Sequence, residues 1–173
     1  MYRRLIALVA LICLGSPLIP LGSVFAAGKT ARAALTEVLA AAKKWQADAL
    51  MVGLSSVTVK PDGTADDWKF SFYSPKAQKR SVVTADSSGV HVREVNLGYG
   101  TQAIGEFIDS DRAMQEAKKN GLKGNEPNMA VKFQGAGSAA VATWIVNGGT
   151  TKGDISVFLD ARTGRFIGRS TMD

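Results

Sequence analysis

Cysteine and histidine are nearly missing from this chain: among 173 residues there is one of each, Cys13 and His91. Because Cys13 sits in an N-terminal apolar run, the rest of the chain has no disulfide, no thiolate nucleophile and no cysteine-ligated metal. A zinc site relying on His91 would otherwise need carboxylates, which suit zinc poorly. His91 alternates with Val90 and Val92, so it is expected to project from the opposite strand face into solvent. A catalytic histidine needs a nucleophile and an orienting acid, and no motif supplies either. A concentrated basic face is missing too. Lys43-Lys44, Lys79-Arg80 and Lys118-Lys119 are isolated doublets, whereas nucleic-acid surfaces gather cations on one side. No nucleic-acid partner is expected.

What is present starts at the N-terminus. Arg3 and Arg4 precede the apolar run from Leu5 to Leu14, Pro17 and Pro20 break any helix, and Val24-Phe25-Ala26 offers a cleavage site. That order is the order of a secretory signal peptide. An apolar run of about 10 residues is too short to span a bilayer core, which takes roughly 20. Residues 1–26 are therefore expected to be removed after Ala26, leaving no stable membrane span and a chain in the periplasm or outside the cell. Lipidation at Cys13 is not expected, because bulky Ile12 precedes it and it lies midway through the run. Of the 173 residues, 147 remain; without Arg3 and Arg4 the 21 basic residues become 19 against 15 acidic ones, a net charge of +4. That is a single-domain length, able to hold its fold by its own core.

Apolar positions Leu35, Val38, Ala42, Trp45 and Ala49 form one stripe of an amphipathic helix between Thr30 and Leu50. A strand is expected from Leu54 to Lys60, with Val57 and Val59 on one face, before the turn Pro61-Asp62-Gly63. Trp68, Phe70 and Phe72 alternate with polar residues, which puts the aromatics on one sheet face and Lys69 and Tyr73 on the other. The aromatic row is read as core against the first helix. Arg80–Ala85 and Val90–Val95 pair across Asp86-Ser87-Ser88-Gly89. A second helix is expected from Asp111 to Asn120, capped by Asp109 or Ser110, with Ala113, Met114 and Ala117 inward and Gly121 at its end. Strands follow at Met129–Phe133, Val141–Val146, Ile155–Leu159 and Arg165–Ile167. Gly135-Ala136-Gly137-Ser138-Ala139-Ala140 has the outline of a nucleotide loop. A strand follows it where that loop needs a helix, so it is read as a hairpin turn. Asp66-Asp67 and the pair Asp109 and Asp111 lack the spacing of a calcium loop.

Trp68 and Trp144 lie 76 residues apart, Asp86 and Asp160 lie 74 apart, and Val57 and Val131 also 74. A common offset predicts duplication of one unit. The expected fold is α+β: two helix-plus-antiparallel-sheet repeats, residues 27–100 and 101–173, forming one domain either by burying their apolar faces against each other or by building a single larger sheet.

The stretch Trp144-Ile145-Val146, then Ile155–Leu159 and the turn Asp160-Ala161-Arg162-Thr163-Gly164 into Arg165-Phe166, resembles the end of a PepSY domain. Asp111–Gly121 looks like the helix that precedes it. The resemblance covers about Asp109 to Gly168. It extends more weakly to Ala31–Val95, where Asp86-Ser87-Ser88-Gly89 is one residue shorter and has no threonine. It implies an extracytoplasmic module with an arrangement like β-lactamase-inhibitor proteins, which binds or inhibits a peptidase or serves protein interaction. No catalytic residue or cofactor comes with it. Asp160, Thr163 and Gly164 match the family's turn and are read as structural.

The chain is thus expected to be a non-enzymatic binding module. It would use its sheet surface, with Lys69 and Tyr73 as interaction residues, on a protein or peptide partner of the cell envelope. The alternative is a carrier of a small apolar ligand, with a pocket between helix and sheet. No catalytic, cofactor-binding or metal-binding residue is assigned.

Overall fold

Thr30 and Asp109 start the two helices of the computed structural model, which describes residues 28–98, 100–135 and 137–171. The expected signal peptide, Cys13 and the cleavage site after Ala26 lie outside the described residues. Helix α1 (Ala31–Trp45) is alanine-rich, is capped by the Thr30 hydroxyl on the Ala33 N–H, and carries Lys43 and Lys44 in its last turn. Those cations complement the negative end of the helix dipole. It ends before Leu50; Ala49, at the far end of the predicted stripe, is buried beyond the helix. Helix α2 (Ser110–Lys119) buries Ala113, Met114 and Ala117. Gly121 follows it at φ +87°, a left-handed conformation that costs glycine little. There the Leu122 N–H reaches the Ala117 carbonyl at 3.0 Å and the Gly121 N–H reaches Lys118 at 3.1 Å, a Schellman stop.

The strands are β1 (Leu50–Ser56), β2 (Trp68–Ser74), β3 (Lys79–Asp86), β4 (Gly89–Val95), β5 (Asn128–Gln134), β6 (Val141–Asn147), β7 (Ile155–Asp160) and β8 (Phe166–Thr171). They form one antiparallel sheet in the order β4-β3-β2-β1-β5-β6-β7-β8. This corrects the expected α+β fold of two helix-plus-antiparallel-sheet repeats: the described chain is mostly a single eight-stranded sheet carrying two short helices. The reason is the pairing of β1 with β5 through Leu54↔Val131, Ser55↔Ala130 and Ser56↔Met129. That contact joins strands far apart in the chain, and their spacing in the sequence carries no trace of it.

A second correction concerns Val57 and Val59. The strand begins at Leu50 and stops at Ser56, leaving Val57 69% exposed and Val59 only 3% exposed. Val59 donates its N–H to the Pro127 carbonyl and bridges Ala65 instead. The last strand also runs further than expected, with Phe166 and Ile167 exposed on the sheet edge.

Both helices pack on the same side of the sheet, α1 on β2, β3 and β4, and α2 on β6 and β7. The layer between holds Trp68, Trp144, Phe70, Phe72, Leu54, Met114, Met129 and Leu159, all fully buried. Each buried tryptophan also fixes the chain just ahead of a helix cap. Trp68 donates its indole N–H to the Lys29 carbonyl at 2.8 Å, and Trp144 donates to Ile108 at 3.0 Å.

The two helix N-termini meet. Ser110 Oγ accepts the Ala31 N–H at 2.9 Å and Asp109 Oδ1 accepts the Arg32 N–H at 2.9 Å, so the start of α2 caps the start of α1. Ser110 is fully buried. Ser110→Ala would orphan a buried N–H, and the expected loss is about 1–3 kcal/mol in urea unfolding. A loss under about 0.5 kcal/mol would mean that this cap contributes little to stability.

Candidate binding face

Neither helix packs on the opposite side of the sheet, and the strand registers fix which residues share it. Lys69 stands opposite Thr84 and, across β1, Ser55; Thr84 stands opposite His91. One step along the strands, Ser71 faces Val82 and Gly53, and Val82 faces Arg93. A further step pairs Tyr73 with Arg80 and Leu50. On the other half, Ser55 continues to Ala130, Ile145, Phe158 and Gly168, while Lys132 faces Thr143 and Thr143 faces Asp160.

Lys69 and Tyr73, the two residues expected to form an interaction surface, therefore lie on this same face, one on either side of Ser71. Tyr73 is half-buried, with the Arg80 guanidinium 4.9 Å from its ring centroid. Arg80 also donates to the Gly100 carbonyl at 2.9 Å, so the arginine is held over the ring by the chain leaving β4. Such stacking is worth about 0.5–1 kcal/mol at an exposed site. Lys69 is 48% exposed and 4.0 Å from Asp67. Arg93 is exposed and Lys132 half-buried, and among the described residues neither has a carboxylate partner.

Arg80, Arg93 and Lys132 join Lys69 here and were not singled out from the sequence. The first two were within reach: the turn Asp86–Gly89 sets the register of β3 on β4, which puts Arg80 and Arg93 on the face of Lys69. Lys132 needs the β1–β5 pairing. His91 is exposed on this face at the turn, where its Nε2 meets Ser88 Oγ at 2.8 Å.

Asp160, Thr163 and Gly164 gather in the β7–β8 turn, away from Lys69 and Tyr73. Asp160 Oδ1 accepts the Arg162 and Thr163 N–H groups and the Thr163 hydroxyl at 2.8–3.1 Å, and Gly164 takes φ +78°. Burial pushes the Asp160 carboxyl up, but the Thr163 and Arg162 hydrogen bonds together outweigh it and hold the group below its usual range. Asp48 is lowered by the Lys76 N–H and the Ser74 hydroxyl, and Asp62 by the Thr64 N–H and hydroxyl. Asp86 is lowered by the Ser88 hydroxyl and N–H, and Glu94 by the Trp45 indole and Lys79. A carboxyl whose folded pKa lies below its unfolded value adds stability above the unfolded value and loses it as pH falls through the folded one. The Tm is expected to hold from neutral pH to about 5 and to fall below about pH 4, where unfolded carboxylates titrate. A thermal-denaturation series over that range checks this, and an unchanged or rising Tm on acidification would contradict it.

Asp66 is held by Lys60 Nζ at 2.6 Å and Asp109 by the capping bonds. The glycine-rich segment after β5 leads through a short 3-10 turn (Gly137–Ala139) into β6, with no helix to receive a phosphate. The layer between helices and sheet, where the alternative reading places a carrier's apolar pocket, holds the core side chains described above. Two clefts of about 430 and 520 Å³ lie beside the segment entering α2 and share Glu106 and Arg162; Ala140, Val141 and Ala142 line the smaller. No helix among the described residues is long and apolar enough to cross a membrane. The chain matches no family model, no curated protein and no solved structure.

Proposed function

We propose that this chain is a non-enzymatic binding module, acting outside the cytoplasm, that engages a protein partner with the helix-free face of its sheet. One observation carries the reading: Tyr73, stacked by Arg80, shares the sheet face opposite the two helices with Lys69, Arg93 and Lys132. Aromatic and arginine side chains are the groups that most often anchor protein interfaces. The signal-peptide pattern of residues 1–26 supports the compartment, and the PepSY resemblance of Asp109–Gly168 supports a peptidase or another envelope protein as the partner.

The test is capture from envelope extract with residues 27–173 as bait, quantified by mass spectrometry. Tyr73→Ala combined with Arg93→Ala is expected to lower recovery of the wild-type partner about tenfold or more, a loss of about 1.4 kcal/mol or more. Equal recovery by the wild type and the folded variant would overturn the reading.

A further inference from the structure

We infer that the helix-free face receives an acidic, extended segment of the partner, about six residues long, lying across β4, β3, β2, β1 and β5. The inference rests on the binding reading and adds the chemistry of what is bound.

Successive strands each present a cation toward the same side: Arg93 on β4, Arg80 on β3 and Lys69 on β2; β1 presents none, and Lys132 follows on β5. Arg93 and Lys132 meet no carboxylate among the described residues, and Asp67 reaches only the edge of Lys69 at 4.0 Å. Asp86, at the end of β3, and Asp160, at the end of β7, are oriented by Ser88 and by the β7–β8 turn and form no ion pair with Arg93 or Lys132 among the described residues. Arg93 and Lys132, with Lys69 in part, therefore carry positive charge that no close carboxylate among the described residues offsets.

The floor between the cations is low. Ser55, Ser71 and Thr84, all half-buried, occupy it beside Val82, and their short side chains let a partner backbone lie near the sheet. Four strand spacings of about 4.8 Å separate β4 from β5, a span of about 19 Å. An extended chain rising about 3.3 Å per residue covers that in about six residues. Glutamate and aspartate on such a segment meet the guanidinium and ammonium groups in charge-assisted hydrogen bonds, and the serine and threonine hydroxyls serve its backbone. Four cations spread over that distance suit carboxylates on one chain; a nucleic-acid backbone or an anionic bilayer recruits a denser set.

Fluorescence anisotropy with a labelled peptide of about six glutamates tests this at low and at physiological ionic strength. The wild type is expected to bind, more weakly as salt rises. Arg93→Glu combined with Lys132→Glu is expected to weaken binding at least about tenfold. The same charge change placed elsewhere, Lys44→Glu with Lys152→Glu, is expected to stay within about twofold. Circular dichroism confirms that each variant folds. Equal loss in both double variants would show attraction by net charge alone and overturn the inference. Tighter binding of phosphatidylglycerol vesicles or of a single-stranded oligonucleotide than of the peptide would also overturn it and assign the face to that ligand. If the peptide fails to bind while envelope capture still depends on Tyr73 and Arg93, the acidic segment is wrong and the binding face stands. Loss of that dependence removes the binding reading itself.

Discussion

Trp144→Ala is expected to cost about 3–5 kcal/mol in urea unfolding, the range for deleting a large buried aromatic. Trp144 is fully buried, between Val131 on one side and Leu159 on the other. Phe107 meets it edge-on, with ring centroids 6.0 Å apart and planes at 67°. Alanine would empty that volume and strip the Ile108 carbonyl of its indole donor. The loss would not stay local, because Ile108 leads into the α2 cap, and that cap also holds the start of α1. Against a total stability of about 5–15 kcal/mol, such a variant stands near the unfolding threshold. Trp144→Phe separates the two contributions, since it keeps most of the apolar volume and removes the donor. It is expected to lose about 1–3 kcal/mol for the buried carbonyl left without its partner. A Trp144→Ala loss under about 1.5 kcal/mol would mean that the site relaxes around the gap.

Gly148→Ala is expected to be as damaging for a different reason. A β-carbon on Gly148 would coincide with the Lys123 carbonyl oxygen, and one on Gly124 would collide with the Gly148 carbonyl. The obstacles are backbone atoms already tied down. The Ile155 N–H donates to Lys123 at 3.0 Å, the Gly148 N–H to Ile155 at 3.0 Å, and the Glu126 N–H to Gly148 at 3.1 Å. Relief would require breaking this knot at the junction of β5, β6 and β7. The expected loss is at least about 3 kcal/mol, at the upper end of overpacking costs. Gly168→Ala is the control: its β-carbon meets nothing within 4 Å, and the change is expected to stay within about 0.5 kcal/mol. Similar melting temperatures for the two variants would refute the steric argument.

The two sites differ in how far the sequence announces them. Trp144 stands in an alternating apolar strand, so its burial follows from local pattern. Gly148 lies in Asn147-Gly148-Gly149, which reads as an ordinary turn, and only the approach of residues 123–124 makes it indispensable. The face shows the same division. Alternation sends Lys69 and Tyr73 away from Trp68, Phe70 and Phe72, and the structure places the aromatics in the core. It is the register of β3 on β2 that lays Arg80 over Tyr73. Val57 shows where alternation misleads: it extended the strand past Ser56, while the chain had turned to hydrogen-bond Pro127.

By itself the sequence determined several local outcomes: the cap at the start of α2, the Gly121 stop, the aromatic face of β2, and the Asp160–Gly164 turn. Each depends on residues within a few positions of one another, where backbone sterics and side-chain periodicity act directly. Tertiary structure alone decided that β1 pairs with β5, which makes one eight-stranded sheet in place of the expected repeats and settles the continuity that the sequence left open. It also decided that Asp109 and Ser110 cap the other helix, that Gly124 and Gly148 touch, and that Lys132 joins Arg93, Arg80 and Lys69 on one face. Those contacts join chain segments from about twenty to about eighty residues apart, and closing such loops is favourable only when the whole core is buried at once. Periodicity within any one segment therefore carries no record of them.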